Sequence, residues 1–177
     1  TKKIIVGVKA LDENEFWRVL IEGVNTASRE FGVDVSVIGP SQEIEVDLQI
    51  QLLEEAVKQK PDAIVLAAGD YNRLVPVSES IRKAGIPLIM IDSAVNGDYA
   101  QSLIATDNVN AGQKAGKELS SRLPAHAKVA IISFVRGTST QIEREQGVRS
   151  ILESRNGTEI VGTYYSEGKE ERAYEIT

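Results

Sequence analysis

Apolar, β-branched runs recur along the chain at Ile4–Val8, Val33–Ile38, Ala63–Ala67, Leu88–Ile91, Leu103–Ala105 and Val129–Phe134, and each gives way to a polar turn. Between them apolar residues return at spacings of three and four, the period of a helix with one buried face. The pattern predicts a strand over Lys3–Val8 and then a helix over Glu15–Phe31, whose stripe of Phe16, Val19, Leu20, Val24, Ala27 and Phe31 is stopped by Gly32. A strand over Asp34–Ile38, a helix over Ile44–Lys60 ended by Pro61, and a strand over Ala63–Ala67 follow. Leu74, Val77, Ile81 and Ala84 mark the next helix, closed by Gly85 and Pro87 before a strand at Leu88–Ile91.

Strands alternating with helices read as a right-handed parallel sheet covered on both faces, with the polar turns gathered at its carboxyl edge. Open α/β folds bind small molecules there. A polar linker, Asp92–Gln101, leads to a short strand at Leu103–Ala105 and a helix from Thr106-Asp107-Asn108 to Leu123, in which Gly112, Ala115 and Gly116 allow close packing against a sheet. The pattern then restarts: strand Val129–Phe134, helix Thr140–Ser154, strand Ile160–Tyr165 and a last helix over Glu170–Ile176. The expected fold is α/β, with two Rossmann-like, doubly wound parallel-sheet lobes. Residues 1–105 form the first, and residues 106–177 begin a second that is incomplete in this chain. The expectation is therefore the N-terminal portion of a longer two-lobed protein, whose missing C-terminal segment is a structural partner.

The 177 residues are 42% apolar and carry a net charge of −6 without a Lys/Arg cluster, which argues against nucleic-acid binding by this segment. The absence of cysteine excludes disulfides and thiolate chemistry and is compatible with either redox compartment. No run approaches the roughly 20 apolar residues of a membrane span. Phosphate-binding glycine loops, GxSxG and HExxH are missing, and the single histidine, His126, lies in a turn before a strand. No enzyme activity and no cofactor or metal are expected.

Candidate binding groups cluster at the turns. In Asp12-Glu13-Asn14-Glu15-Phe16-Trp17, Asp12 with Glu15 or Asn14 alone can cap the helix. Trp17, one residue off the predicted stripe, either stacks on a ligand or packs in the core. Asp92 ends the fourth strand, where an ionised carboxylate accepts hydroxyl hydrogen bonds or starts a turn. One of Asp107 and Asn108 caps the next helix, leaving the other for binding. Arg144 follows a predicted Thr140/Glu143 capping box, in a first turn where a cation opposes the helix dipole at about 0.3–1 kcal/mol. Such a guanidinium calls for a partner, a ligand or a carboxylate such as Asp92 or Asp107, unless it is simply solvated.

Asn14-Glu15-Phe16-Trp17, Ala84-Gly85-Ile86-Pro87 leading to Ile91-Asp92, Ala105-Thr106-Asp107-Asn108, and Gly137-Thr138-Ser139 with Arg144-Glu145 and Gly147 occur in an order and spacing that resemble one family. Over all 177 residues the chain resembles the ribose-binding-protein group of periplasmic binding proteins type I, the sugar-binding subunits of ABC importers. The resemblance implies two lobes, joined by three crossovers, that close on a sugar and deliver it to a permease outside the cytoplasm, in a periplasm or anchored at the cell surface. It implies ligand contacts at Asn14, Phe16, Trp17, Asp92 and Arg144, with Asp107 near the hinge. Ser93 completes the ligand set, standing where ribose binders have an Arg, and Ser166-Glu167-Gly168-Lys169 lacks their aromatic residue. Another pentose, a hexose or a polyol is therefore as admissible as ribose. A LacI-type repressor's ligand domain and a sugar-sensing receptor share the fold and stand as alternatives.

Overall fold

A computed structural model describes residues 1–11 and 14–177; Asp12 and Glu13, with their part in the predicted cap, lie outside the described residues. The chain divides into two compact units, Thr1–Ala105 and Thr106–Thr177.

The first unit runs β1 (Lys3–Gly7), α1 (Glu15–Phe31), β2 (Asp34–Ile38), α2 (Val46–Lys58), β3 (Ala63–Leu66), α3 (Val75–Lys83), β4 (Leu88–Ile91) and β5 (Ser102–Ile104). All its strands are parallel, in the order β2-β1-β3-β4-β5. Because successive strand residues face opposite sides, the sheet serves two cores. Ile5, Ile64, Leu66, Leu88 and Met90 pack with Leu53 and Ala56 of α2 and with Val77 and Ile81 of α3. On the other face Val6, Val8, Ala10 and Ala67 pack with Trp17, Leu20 and Val24 of α1. Gly32 ends α1 in the left-handed conformation, φ 63°, and its N–H donates to the Ser28 carbonyl.

The stripe predicted for α1 is rotated by one residue. Phe16, Val19, Ala27 and Phe31 are exposed, and the covered residues are Trp17, Leu20, Ile21, Val24 and Ser28. Phe16 and Val19 themselves recur at helical spacing, so the sequence offered two apolar faces and only the neighbouring sheet selects between them.

The second unit holds α4 (Asn108–Arg122), β6 (Ala127–Ser133), α5 (Ser139–Leu152), β7 (Thr158–Tyr165) and α6 (Glu170–Ile176). β6 and β7 pair in parallel with a bulge that leaves Val161 unopposed, between Val129↔Ile160 and Ala130↔Gly162. The small residues of α4 serve helix-helix contact, not the sheet packing expected. A Cβ on Gly112 would lie 2.2 Å from the Arg144 carbonyl oxygen, and one on Gly147 would lie 2.2 Å from that of Val109.

Candidate functional site

The carboxyl edge of the first unit is built by strands that continue as bonded loops. Past β1, the Val8 N–H donates to the Ile38 carbonyl and the Leu11 N–H to the Pro40 carbonyl, both at 2.9 Å. Lys9 and Ala10 are thereby held at the edge, both buried. Gln49 of α2 staples the edge together. Its Nε2 donates to the carbonyls of Val8 at 3.0 Å and Ala67 at 2.9 Å, and its Oε1 accepts the Gly69 N–H at 2.8 Å.

Asp92 follows β4 with φ 61°, a left-handed backbone uncommon outside glycine, asparagine and aspartate. A three-residue turn forms around it, the Ser93 N–H donating to the Ile91 carbonyl at 2.6 Å, while its own N–H reaches the Ile104 carbonyl at 3.0 Å. Backbone strain of this kind gathers at binding and switch sites. Asp92 Oδ2 lies 2.8 Å from Lys9 Nζ. Lys9 is 3% exposed, and a buried ammonium is tolerated only with such a partner. The sequence reading missed Lys9; its signal was a charged residue immediately after an apolar strand, at the sheet edge that also carries Asp92.

Ser93 points inward, its Oγ donating to the Ala68 carbonyl at 2.8 Å, and is buried. Trp17, 1% exposed, lies in the core below this edge, and its Nε1 donates to Glu43 Oε1 at 2.7 Å. The Lys9 ammonium is 5.8 Å from the indole centroid. Phe16 meets Trp17 edge-on, centroids 4.9 Å apart, and is 54% exposed, so it is the ring that faces outward. Asn14 caps α1, its Oδ1 accepting the Trp17 N–H at 3.3 Å.

In the second unit Asp107 is the residue that caps α4, accepting the Asn110 N–H at 3.0 Å. Asn108 is buried, and its Oδ1 accepts from Arg144 Nε at 2.8 Å. The partner expected for Arg144 is thus an amide and not the Asp107 carboxylate, because Asp107 is engaged as the cap. Thr138, not Thr140, caps α5: its Oγ1 accepts the Gln141 N–H at 3.2 Å, and Gln141 Oε1 accepts the Gly137 N–H at 2.9 Å. Gly137, φ 103°, turns the chain early enough to shift the cap two residues.

A polar cluster lines an open cleft of about 620 Å³ along α5. Glu145 accepts from Arg149 Nε at 3.0 Å, Gln141 Nε2 at 2.6 Å and the Tyr165 hydroxyl at 3.2 Å. Burial first, and then the Glu145 carboxylate, raises the Tyr165 phenol above its ordinary value of 10.0. Among the described residues no group of three or more His, Cys, Asp or Glu side chains is placed to hold a metal ion. No helix there is long and apolar enough to cross a membrane.

The carboxyl edge of this doubly wound parallel sheet, with its fixed carboxylate, buried counter-ion and outward aromatic ring, is the place where open α/β folds bind small molecules. A family model described as a periplasmic binding protein domain matches residues 4–177, and the chain belongs to that family. The chain is 26% identical to the ribose import binding protein of Bacillus subtilis over 142 residues, 80% of this chain and 46% of that protein. Among solved structures, a sugar transporter from Clostridium phytofermentans is 35% identical with a TM-score of 0.90, covering 99% of this chain and 64% of that one. An Agrobacterium vitis ABC transporter solute binding protein with bound D-fucose is 32% identical with a TM-score of 0.90, covering 98% and 61%. The chain spans about half the length of the curated relatives it matches.

Proposed function

We propose that this chain is part of an extracytoplasmic solute-binding protein that captures an uncharged, monosaccharide-class ligand and passes it to the permease of an ABC importer. The observation that carries this reading is Asp92, a carboxylate fixed by strained backbone and a buried ammonium at the sheet edge where such folds bind ligands. Phe16 supplies an exposed ring for the apolar face of a sugar. Asn14 acts by setting the start of α1, and Trp17 and Ser93 act from behind the surface by fixing Lys9 and the turn. Within the second unit, Arg144 is held by Asn108 and Asp107 caps α4. On this reading residues 1–105 are the N-terminal lobe and residues 106–177 the start of the second.

Relatives point to the ligand class: proteins named for ribose, xylitol and D-apiose, and structures holding D-arabinose and D-fucose. The test is calorimetric titration of the full-length protein with D-ribose, D-arabinose, D-fucose, D-galactose and xylitol. Saturable binding of at least one, weakened tenfold or more by Phe16→Ala at unchanged melting temperature, is expected. No heat with any of the five overturns the proposal.

A further inference from the structure

The Lys9–Asp92 pair is unevenly buried: the ammonium side chain is 3% exposed and the carboxylate 21%. A group approaching the edge from solvent therefore meets the carboxylate, while its counter-charge sits inside. Lys9 has little freedom to leave. The backbone on either side is bonded to Ile38 and Pro40, Gln49 holds the Val8 carbonyl, and the Trp17 ring stands 5.8 Å from the ammonium, anchored through Glu43. Asp92 is aimed by its backbone turn, with its N–H on Ile104 and the next N–H on Ile91. Both halves of the pair are set before any ligand arrives.

A partly exposed carboxylate without a counter-ion draws cations, and an ammonium group on a ligand makes the stronger, charge-assisted hydrogen bond to it. The same carboxylate neutralised from within still accepts hydrogen bonds from hydroxyl groups but gives a cationic ligand no net attraction, and adds repulsion from the buried ammonium. We infer that Lys9 is a specificity-determining residue: it neutralises Asp92 from the inside, so that the edge accepts neutral polyhydroxylated ligands and rejects their cationic amino counterparts. Lys9 acts through Asp92 and is a positioning residue.

The inference rests on the functional reading above, and its test separates the two. Full-length wild type and Lys9→Met are compared by competition of D-galactose and D-galactosamine against whichever of the five neutral probes binds most tightly, with melting temperatures recorded in parallel. Wild type is expected to favour D-galactose over D-galactosamine at least tenfold. In Lys9→Met that preference should shift toward D-galactosamine by at least tenfold, a change in ratio that a merely structural role for the lysine does not produce. A ratio within twofold of wild type overturns the inference even if absolute affinity or melting temperature falls. If Lys9→Met does not fold, Lys9→Gln, which keeps an N–H donor for Asp92 without the charge, is read by the same ratio and the same limits. Absence of binding by wild type to every neutral probe removes the functional reading and this inference together.

Discussion

Replacing Gln49 by methionine keeps the volume of the side chain and deletes its polar end. Three backbone groups then lose their partners at once: the Val8 and Ala67 carbonyls and the Gly69 N–H, all gathered by one carboxamide that is 2% exposed. Each unsatisfied buried group costs about 1–3 kcal/mol, so three taken near the lower end give a loss of about 3–5 kcal/mol. At about 2–4 °C per kcal/mol for a chain of this size, the melting temperature of Gln49→Met should fall by about 6–20 °C, read by circular dichroism. Gln49→Glu sharpens the point. Its carboxylate would face two carbonyl oxygens, which raises its pKa in the folded state above the unfolded value of about 4.3. Stability of that variant should therefore be greatest below that value and be lost as pH rises through the folded pKa. A melting temperature for Gln49→Met within about 2 °C of wild type, or a Gln49→Glu variant as stable at pH 7 as at pH 4, would refute the staple.

Gly147→Ala places a Cβ 2.2 Å from the Val109 carbonyl oxygen, a clash with rigid backbone that outweighs the gain of about 1 kcal/mol in helix propensity. Faster hydrogen exchange throughout α4 and α5 is expected, and unchanged protection would show that the crossing is looser than described. Tyr165, one of five tyrosines, should ionise last in an ultraviolet titration, and Glu145→Gln should bring its midpoint down while leaving the part due to burial in place. Because the folded state holds that proton more tightly, its contribution to stability fades as pH rises past 10.0. A titration in which all five ionise together would remove the coupling.

The alternation of elements was legible because it is local. Gly32 and Gly85 both take positive φ where the sequence placed helix ends, and α1, β2, β4 and α6 begin and end at the residues the periodicity indicated. What was not legible depended on neighbours distant in sequence. The covered face of α1 is decided by β1 and β3, so Trp17 is interior and Phe16 exterior although both suit a helical stripe. Gly112 looked like a small residue for a sheet, and its pairing with Gly147 emerges only when two helices separated by a strand cross. Lys9 and Asp92 are 83 positions apart in number and 2.8 Å apart in space; a strand-end lysine reads as a solvated charge until the turn after β4 brings the carboxylate to it. Gln49, in the first turn of α2, carried no signal at all, since glutamine is ordinary on a helix surface.

The left-handed backbone at Asp92 limits how this position can change over evolutionary time. Asparagine and glycine inherit the turn without steric penalty, whereas valine, isoleucine or threonine would force the loop after β4 to rebuild. On the proposed reading, any drift in ligand preference that runs through this residue is confined to a few amino acids. Larger changes at this edge must be made by its neighbours instead.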